Sequence, residues 1–143
     1  MRGQFGPLTY TLNTTAIAAA VAAKQMAILM SAAYTGMRAA KDHCGKKTYQ
    51  LYNAIHVIEP GQTDDSFPVT DINGKTFEAG TGITAGPDEA YVVARTHNHS
   101  DQDYAWYHHA GTSITPANGY MDVAAEAARV FPGVEVGAPH PVK

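Results

Sequence analysis

The sequence predicts an α+β fold, with a long N-terminal helix packed on a small antiparallel β-sheet and a second helix near the C-terminus. Three observations predict it. Residues 13–45 form an alanine-rich apolar run with capping residues at both ends. Residues 48–115 hold short β-forming segments separated by turn residues, and residues 118–131 return to helical spacing. The expected organisation is a single domain over 1–143: an N-terminal arm (1–13), the long helix (14–44), the sheet region (48–115), the second helix (118–131) and a C-terminal tail (132–143). A chain of 143 residues is long enough to bury a core without disulfide staples.

The long helix comes first. Asn13, Thr14 and Thr15 offer N-caps, Lys41 and His43 suit the last turn, and Gly45 offers a left-handed stop. Unbroken, it spans roughly 30 residues, or about 45 Å, with Gly36 as a candidate kink. On a helical wheel Ile17, Val21 and Ile28 fall on one side, and Met26, Met30, Tyr34 and Met37 fall nearly opposite. A helix apolar on two faces needs two things to bury them. Two readings stay open: a second subunit covers one face, or the helix is fully internal to its own domain. The methionines read as packing residues. Residues 16–37 raise the membrane question, but Lys24 and Gln25 near the middle and the high alanine content favour a soluble buried helix.

Beyond Gly45 the pattern turns to strands. "YQLYNAIHVI" (49–58) is rich in β-formers and ends at Pro60-Gly61, and "VTDINGKTFEA" predicts a hairpin around Asn73-Gly74, a type I′ dipeptide. "TGITAGPDEA" reads as a loop or short strand, "AYVVART" (90–96) as a buried strand, and "YAWYHHA" (104–110) as a further strand or edge segment. In that segment Trp106 and Tyr107 would point opposite ways, one to the core and one to an interface. "ANGYMDVAAEAARVF" has helical spacing at Met121, Ala124, Ala125 and Ala128 and stops at Pro132-Gly133. "VEV" (134–136) would be a last short strand.

Composition narrows the function classes. A formal charge of −3 gives no overall basic footprint for sequence-independent nucleic-acid binding. Cys44 is the single cysteine, so no intrachain disulfide forms, which suits a reducing compartment. The first residues do not read as a signal peptide. The chain has no G-x-S-x-G, Walker loop or glycine-rich dinucleotide turn, and His43-Cys44 are mere neighbours at a helix end.

"HNHSDQDYAWYHHAGT" (97–112) holds four of the seven histidines. If extended, His97, His99, Asp101 and Asp103 share one side, and His-x-His-x-Asp resembles the first ligand motif of the metallo-β-lactamase fold. Gln102 stands where that motif continues with histidine, and the chain is shorter than that fold. A small zinc-dependent hydrolase using His97, His99 and Asp101 is therefore the alternative reading. The plainer reading is a polar surface loop, with His108 and His109 either idle or lending an interface sensitivity near pH 6 to 7.

Three further segments carry a resemblance: "KTYQLYNAIHV" (47–57), "YAWYHHAGT" (104–112) and "PANGYMDVA" (116–124). In this order, after a long helix, they resemble the neck, tail-completion or head–tail joining proteins of tailed bacteriophages. That family carries Thr-Gly-x-Leu-x-x-Ser-Ile, then Tyr-Ala-x-x-x-x-x-Gly-Thr, then a proline-bearing loop into an aromatic-Leu-x-x-Ala helix start. Tyr49 stands where the family usually has glycine, Ala54 where serine is common, and His109 where an acidic residue is frequent. The resemblance implies a non-enzymatic virion protein without cofactor or bound metal, made in the host cytoplasm. It would form a ring of its own copies at the head–tail junction, between portal or adaptor proteins and the tail. Genomic DNA would pass without specific binding, and no membrane would be involved. Its candidate interface or motif residues are Thr48, Leu51, Ile55, Tyr104, Ala105, Trp106, Tyr107, Gly111, Thr112, Tyr120 and Met121.

Overall fold

The computed structural model describes residues 7–14, 22–46, 49–96, 105–110 and 117–141. The chain is α+β. Strand β1 (Leu8–Thr14) leads to helix α1 (Ala22–His43), the short helix α2 (Gln50–Ala54) and strand β2 (His56–Ile58). Strands β3 (Pro68–Thr70), β4 (Thr76–Glu78) and β5 (Glu89–Ala94) follow, then helices α3 (Ala105–Ala110) and α4 (Tyr120–Ala128), and strands β6 (Val134–Val136) and β7 (His140–Pro141). The main sheet is antiparallel in the order β2-β5-β1-β6, with β7 also on β1; β3 and β4 form a separate hairpin.

The expected N-terminal arm is instead an interior strand. Residues 8–12 alternate Leu8, Tyr10, Leu12 against Thr9, Thr11, the period-two pattern of a strand. Leu8, Tyr10 and Leu12 pair across to Ala94, Val92 and Ala90 of β5. These six side chains form one fully buried face. The expected tail is also part of the sheet: β6 and β7 run along the other edge of β1, and Gly137 donates to the Thr11 carbonyl at 3.0 Å between them. Thr14 belongs to β1, so it does not begin the long helix, and the caps at Thr15 and the apolar positions Ile17 and Val21 lie outside the described residues.

Helix α1 lies across the buried face. Leu29, Ala32, Ala33, Gly36 and Ala40 recur at three- and four-residue spacing and are buried. Met26 and Met37 pack on the same core. What reads on the wheel as a second apolar face is therefore covered in part within one chain, leaving Lys24, Ala27, Ser31, Arg38 and Asp42 as the exposed stripe. Helix α4 packs against α1, and the small residues Ala124, Ala125 and Ala128 let the two helices approach closely. Gly36 explains itself here: a Cβ would run into the Tyr10 hydroxyl and press on the Ala124 carbonyl oxygen at 3.2 Å. It permits a close approach of helix to strand. No helix among the described residues is long and apolar enough to cross a membrane.

Residues 59–88 form an excursion between β2 and β5. Ile83 and Ala85 come back over Ile58, Val93 and Tyr91 on the second face of the sheet. With little strand ladder of its own, the excursion satisfies backbone N–H groups with carboxylates. Asp71 accepts from the N–H of Asn73 and Lys75, Glu78 from Phe67 and Gly80, Asp64 from Thr81, and, at the start of β5, Glu89 from Gly86. The β3–β4 hairpin falls where expected, but its turn differs. Gly74 (φ 83) is the turn residue at positive φ, and its N–H reaches the Asp71 carbonyl at 3.0 Å. That is a type I turn closed by a left-handed glycine, not the two-residue type I′ turn.

Candidate functional site

Two expected strands on which the site was placed are helices. Residues 50–54 form α2 before the chain extends into β2, and residues 105–110 form α3. The expectation that Trp106 and Tyr107 divide between core and interface rested on a strand at 104–110, and residues 105–110 are helical. Thr48, Tyr104, Gly111 and Thr112 lie outside the described residues, as do the side chains of Trp106, Tyr107 and His108.

The remaining motif residues converge. Leu51 and Ile55 from α2 and its C-cap, Ala105 from α3, and Tyr120 and Met121 from α4 are all members of one buried cluster. The Tyr120 hydroxyl donates to the Ala105 carbonyl at 2.8 Å, tying the start of α4 to the start of α3. These side chains build the protomer's own core. As interface candidates they are withdrawn from any partner, because each is at most 4% exposed.

Helix entry is the second feature. Both α2 and α4 are entered through a residue in the left-handed region, with no side-chain cap. At α4 that residue is Gly119 (φ 70), which adopts the conformation freely. At α2 it is Tyr49 (φ 62), the one non-glycine residue at positive φ among the described residues. A bulky side chain there is uncommon and strained. Tyr49 rests edge-on against Tyr52 at 5.4 Å, and the Lys41 ammonium lies 4.8 Å above the Tyr52 ring.

His109 substitutes for the cap that Gly119 cannot supply. Its Nδ1 accepts the Met121 N–H at 3.3 Å, and its backbone carbonyl accepts the Gly119 N–H at 3.0 Å. An acceptor at Nδ1 requires the proton on Nε2, which faces the Asp122 carboxylate at 3.6 Å. Burial pushes the His109 pKa down, against the opposing pull of Asp122. Next to this contact, His43 Nε2 meets the Asn118 carbonyl at 3.0 Å and Asn118 Nδ2 donates back to the His43 carbonyl at 3.2 Å, fastening the end of α1 to the entry of α4.

A third cluster escaped sequence reasoning. His56 Nδ1 meets the Ala54 carbonyl at 2.8 Å, and its Nε2 meets the Asp64 carboxylate oxygens at 2.8 and 3.0 Å. Phe67 stacks on the ring at 4.1 Å, and Thr81 donates to Asp64 from both its N–H and its hydroxyl. Burial alone would raise the Asp64 pKa, but the hydrogen bonds from His56 and Thr81 outweigh it and hold the carboxyl below its usual range. A His–Asp pair invites a catalytic reading. Here both ring nitrogens are engaged by acceptors and the ring is covered by Phe67, so no nitrogen is free to take a proton from a nucleophile. The pair clasps the excursion to β2. One signal was available: His56 shares with Ile58 the alternating inward face of β2, a position that demands a partner for a polar group.

His97, His99, Asp101 and Asp103 lie outside the described residues. Among the described residues no group of three or more histidine, cysteine, aspartate or glutamate side chains is placed to hold a metal ion. No family model matches the chain, and neither a curated protein nor a solved structure matches it.

Proposed function

We propose that this chain is a structural virion protein of a tailed phage, assembling as a ring of its own copies at the head–tail junction and joining portal-side proteins to the tail. The observation that carries the reading is Tyr49. The segment resembling Thr-Gly-x-Leu-x-x-Ser-Ile places Tyr49 at the family's glycine, and Tyr49 has φ 62, the conformation for which glycine is favoured. Motif alignment and backbone angle are independent, and they agree at a single position. His109 adds a second agreement. An acidic residue is frequent there in the family, and the position offers a hydrogen-bond acceptor to the first turn of α4, a role a carboxylate would fill equally well.

The role proposed is passive. Copies meet through surfaces other than the buried motif residues, and the ring surrounds DNA without gripping it. Residues 59–88 hold six acidic residues and one lysine, Lys75, so this excursion suits a wall past which phosphates slide. No catalysis, cofactor or membrane contact enters the proposal.

Deleting the reading frame from its native genome and imaging the lysate by electron microscopy tests it. DNA-filled heads with detached tails, or heads that leak DNA, are the expected outcome, with infectivity restored by the chain supplied in trans. Intact infectious particles from the deletion would end the phage reading.

A further inference from the structure

Helix α4 begins at a glycine, which has no side chain to cap it, and its Met121 N–H is instead held by a histidine from another helix. We infer that His109 is a proton-operated latch between α3 and α4, closed when its ring is neutral and released when the ring is protonated. The inference is independent of the phage reading.

The geometry allows one closed state. Nδ1 serves as acceptor for the Met121 N–H only while it carries no proton. Adding that proton sets two donors against each other at 3.3 Å and leaves the Met121 N–H without its acceptor in a buried place. It also puts positive charge at the positive end of the α4 dipole. Among the described residues Asp122 opposes release: the new imidazolium would pair with its carboxylate, 3.6 Å from Nε2. The Asp122 side chain is 71% exposed, so water screens that attraction and it offsets little.

Among the described residues, two side chains of α4 face the ring, Tyr120 and Asp122. From α4, Tyr120 meets it edge-on at 5.6 Å, but the phenol is engaged with the Ala105 carbonyl. Among the described residues Asp122 is the charged group that acts on His109. The burial that depresses the His109 pKa favours the closed, neutral form. The latch is therefore complete above the ordinary histidine pKa of about 6.5 and weakens as pH falls below it. If the closed state took no proton at all, opening would increase by about tenfold between pH 7.5 and 5.5.

Residue-resolved NMR of the full labelled chain tests the latch, since His43 sits on the adjacent Asn118 carbonyl and bulk titration would mix the two rings. The ring of His109 is expected to titrate with a midpoint below 6.5, as the Nε2–H tautomer above it. The Met121 amide shift should follow with the same midpoint, and its hydrogen exchange, corrected for intrinsic rate, should accelerate up to the tenfold limit. In His109→Gln, which keeps an acceptor and cannot titrate, the Met121 amide should lose that pH response. A His109 midpoint at or above 6.5, or a Met121 amide indifferent to His109 titration, would overturn the latch in the wild-type protein alone, whether or not the variant folds.

Discussion

Tyr49 offers the sharpest test of the backbone, because it reverses a familiar sign. Replace it by alanine and by glycine in separate variants. Both lose the edge contact to the Tyr52 ring at 5.4 Å, so that loss cancels in the comparison. At an ordinary helix or strand position alanine is more stable than glycine by about 0.5–1 kcal/mol, because glycine has more freedom to lose on folding. At φ 62 alanine keeps a left-handed strain of about 1–2 kcal/mol that glycine escapes. At the centres of these ranges the difference leaves Tyr49→Gly more stable than Tyr49→Ala by about 0.75 kcal/mol, or roughly 2 °C in melting temperature for a domain of this size. Urea unfolding followed by circular dichroism, with a shared slope for the two variants, measures it. Alanine equal to or better than glycine would refute both the left-handed entry to α2 and the register on which the functional reading rests.

Two further perturbations follow from the packing. Asp64 and Glu78 both have pKa values held down, Asp64 against burial by hydrogen bonds from His56 and Thr81, Glu78 by the N–H groups of Phe67 and Gly80. Their contribution is whole above the unfolded carboxyl pKa values of about 4 and is lost as pH falls through the lower folded values, so the amides of Phe67, Gly80 and Thr81 should exchange freely in acid while Tyr10 and Val92 amides stay protected; simultaneous loss would contradict it. Tyr10 buries a hydroxyl with no hydrogen-bond partner among the described residues, and burial pushes its pKa up. Tyr10→Phe should leave stability unchanged or raise it by about 1 kcal/mol. Gly36→Ala should destabilise through collision with that same hydroxyl, and less so when combined with Tyr10→Phe; thermal melts of the single and double variants decide.

Long-range alternation was legible in the sequence where the segment was read for it, and missed where position in the chain suggested something else. The helical run at 22–43 carries a strong periodic signal and the strand within 90–96 a continuous apolar one, and both form. Residues 8–12 carry an equally clean period of two, yet an arm preceding a long helix gives no hint that it will sit between β5 and β6. Short segments were the hardest. "QLYNA" and "AWYHHA" are too short for periodicity to separate helix from strand, and β-forming tyrosines weighed the wrong way. Tertiary contacts decide there: α2 closes over the hairpin through Ala54, Val69 and Ala79, and α3 is tied to α4 by Tyr120 and His109. The His56–Asp64 clasp joins residues eight apart across a turn that no spacing rule predicts.

The placement of the motif residues also decides which experiments bear on function. Leu51, Ile55, Ala105, Tyr120 and Met121 share one core. Cutting any of the larger ones to alanine opens a cavity costing about 2–5 kcal/mol, a large part of the stability of a domain this size. In a test of the proposed phage role, lost infectivity after such a change would report an unfolded part, whatever that part does. Exposed positions are the informative ones. Ile72 at the hairpin tip is 66% exposed and Val130 beyond α4 is 78% exposed, and neither supports the core. Substituting them with aspartate leaves folding within about 0.5 kcal/mol of wild type. If the proposed ring forms, its loss in either variant with the melting temperature unchanged would report a subunit or partner contact directly, and full assembly in both would exclude Ile72 and Val130 from that contact, leaving the exposed stripe of α1 at Ala27, Ser31 and Arg38 to be tested next.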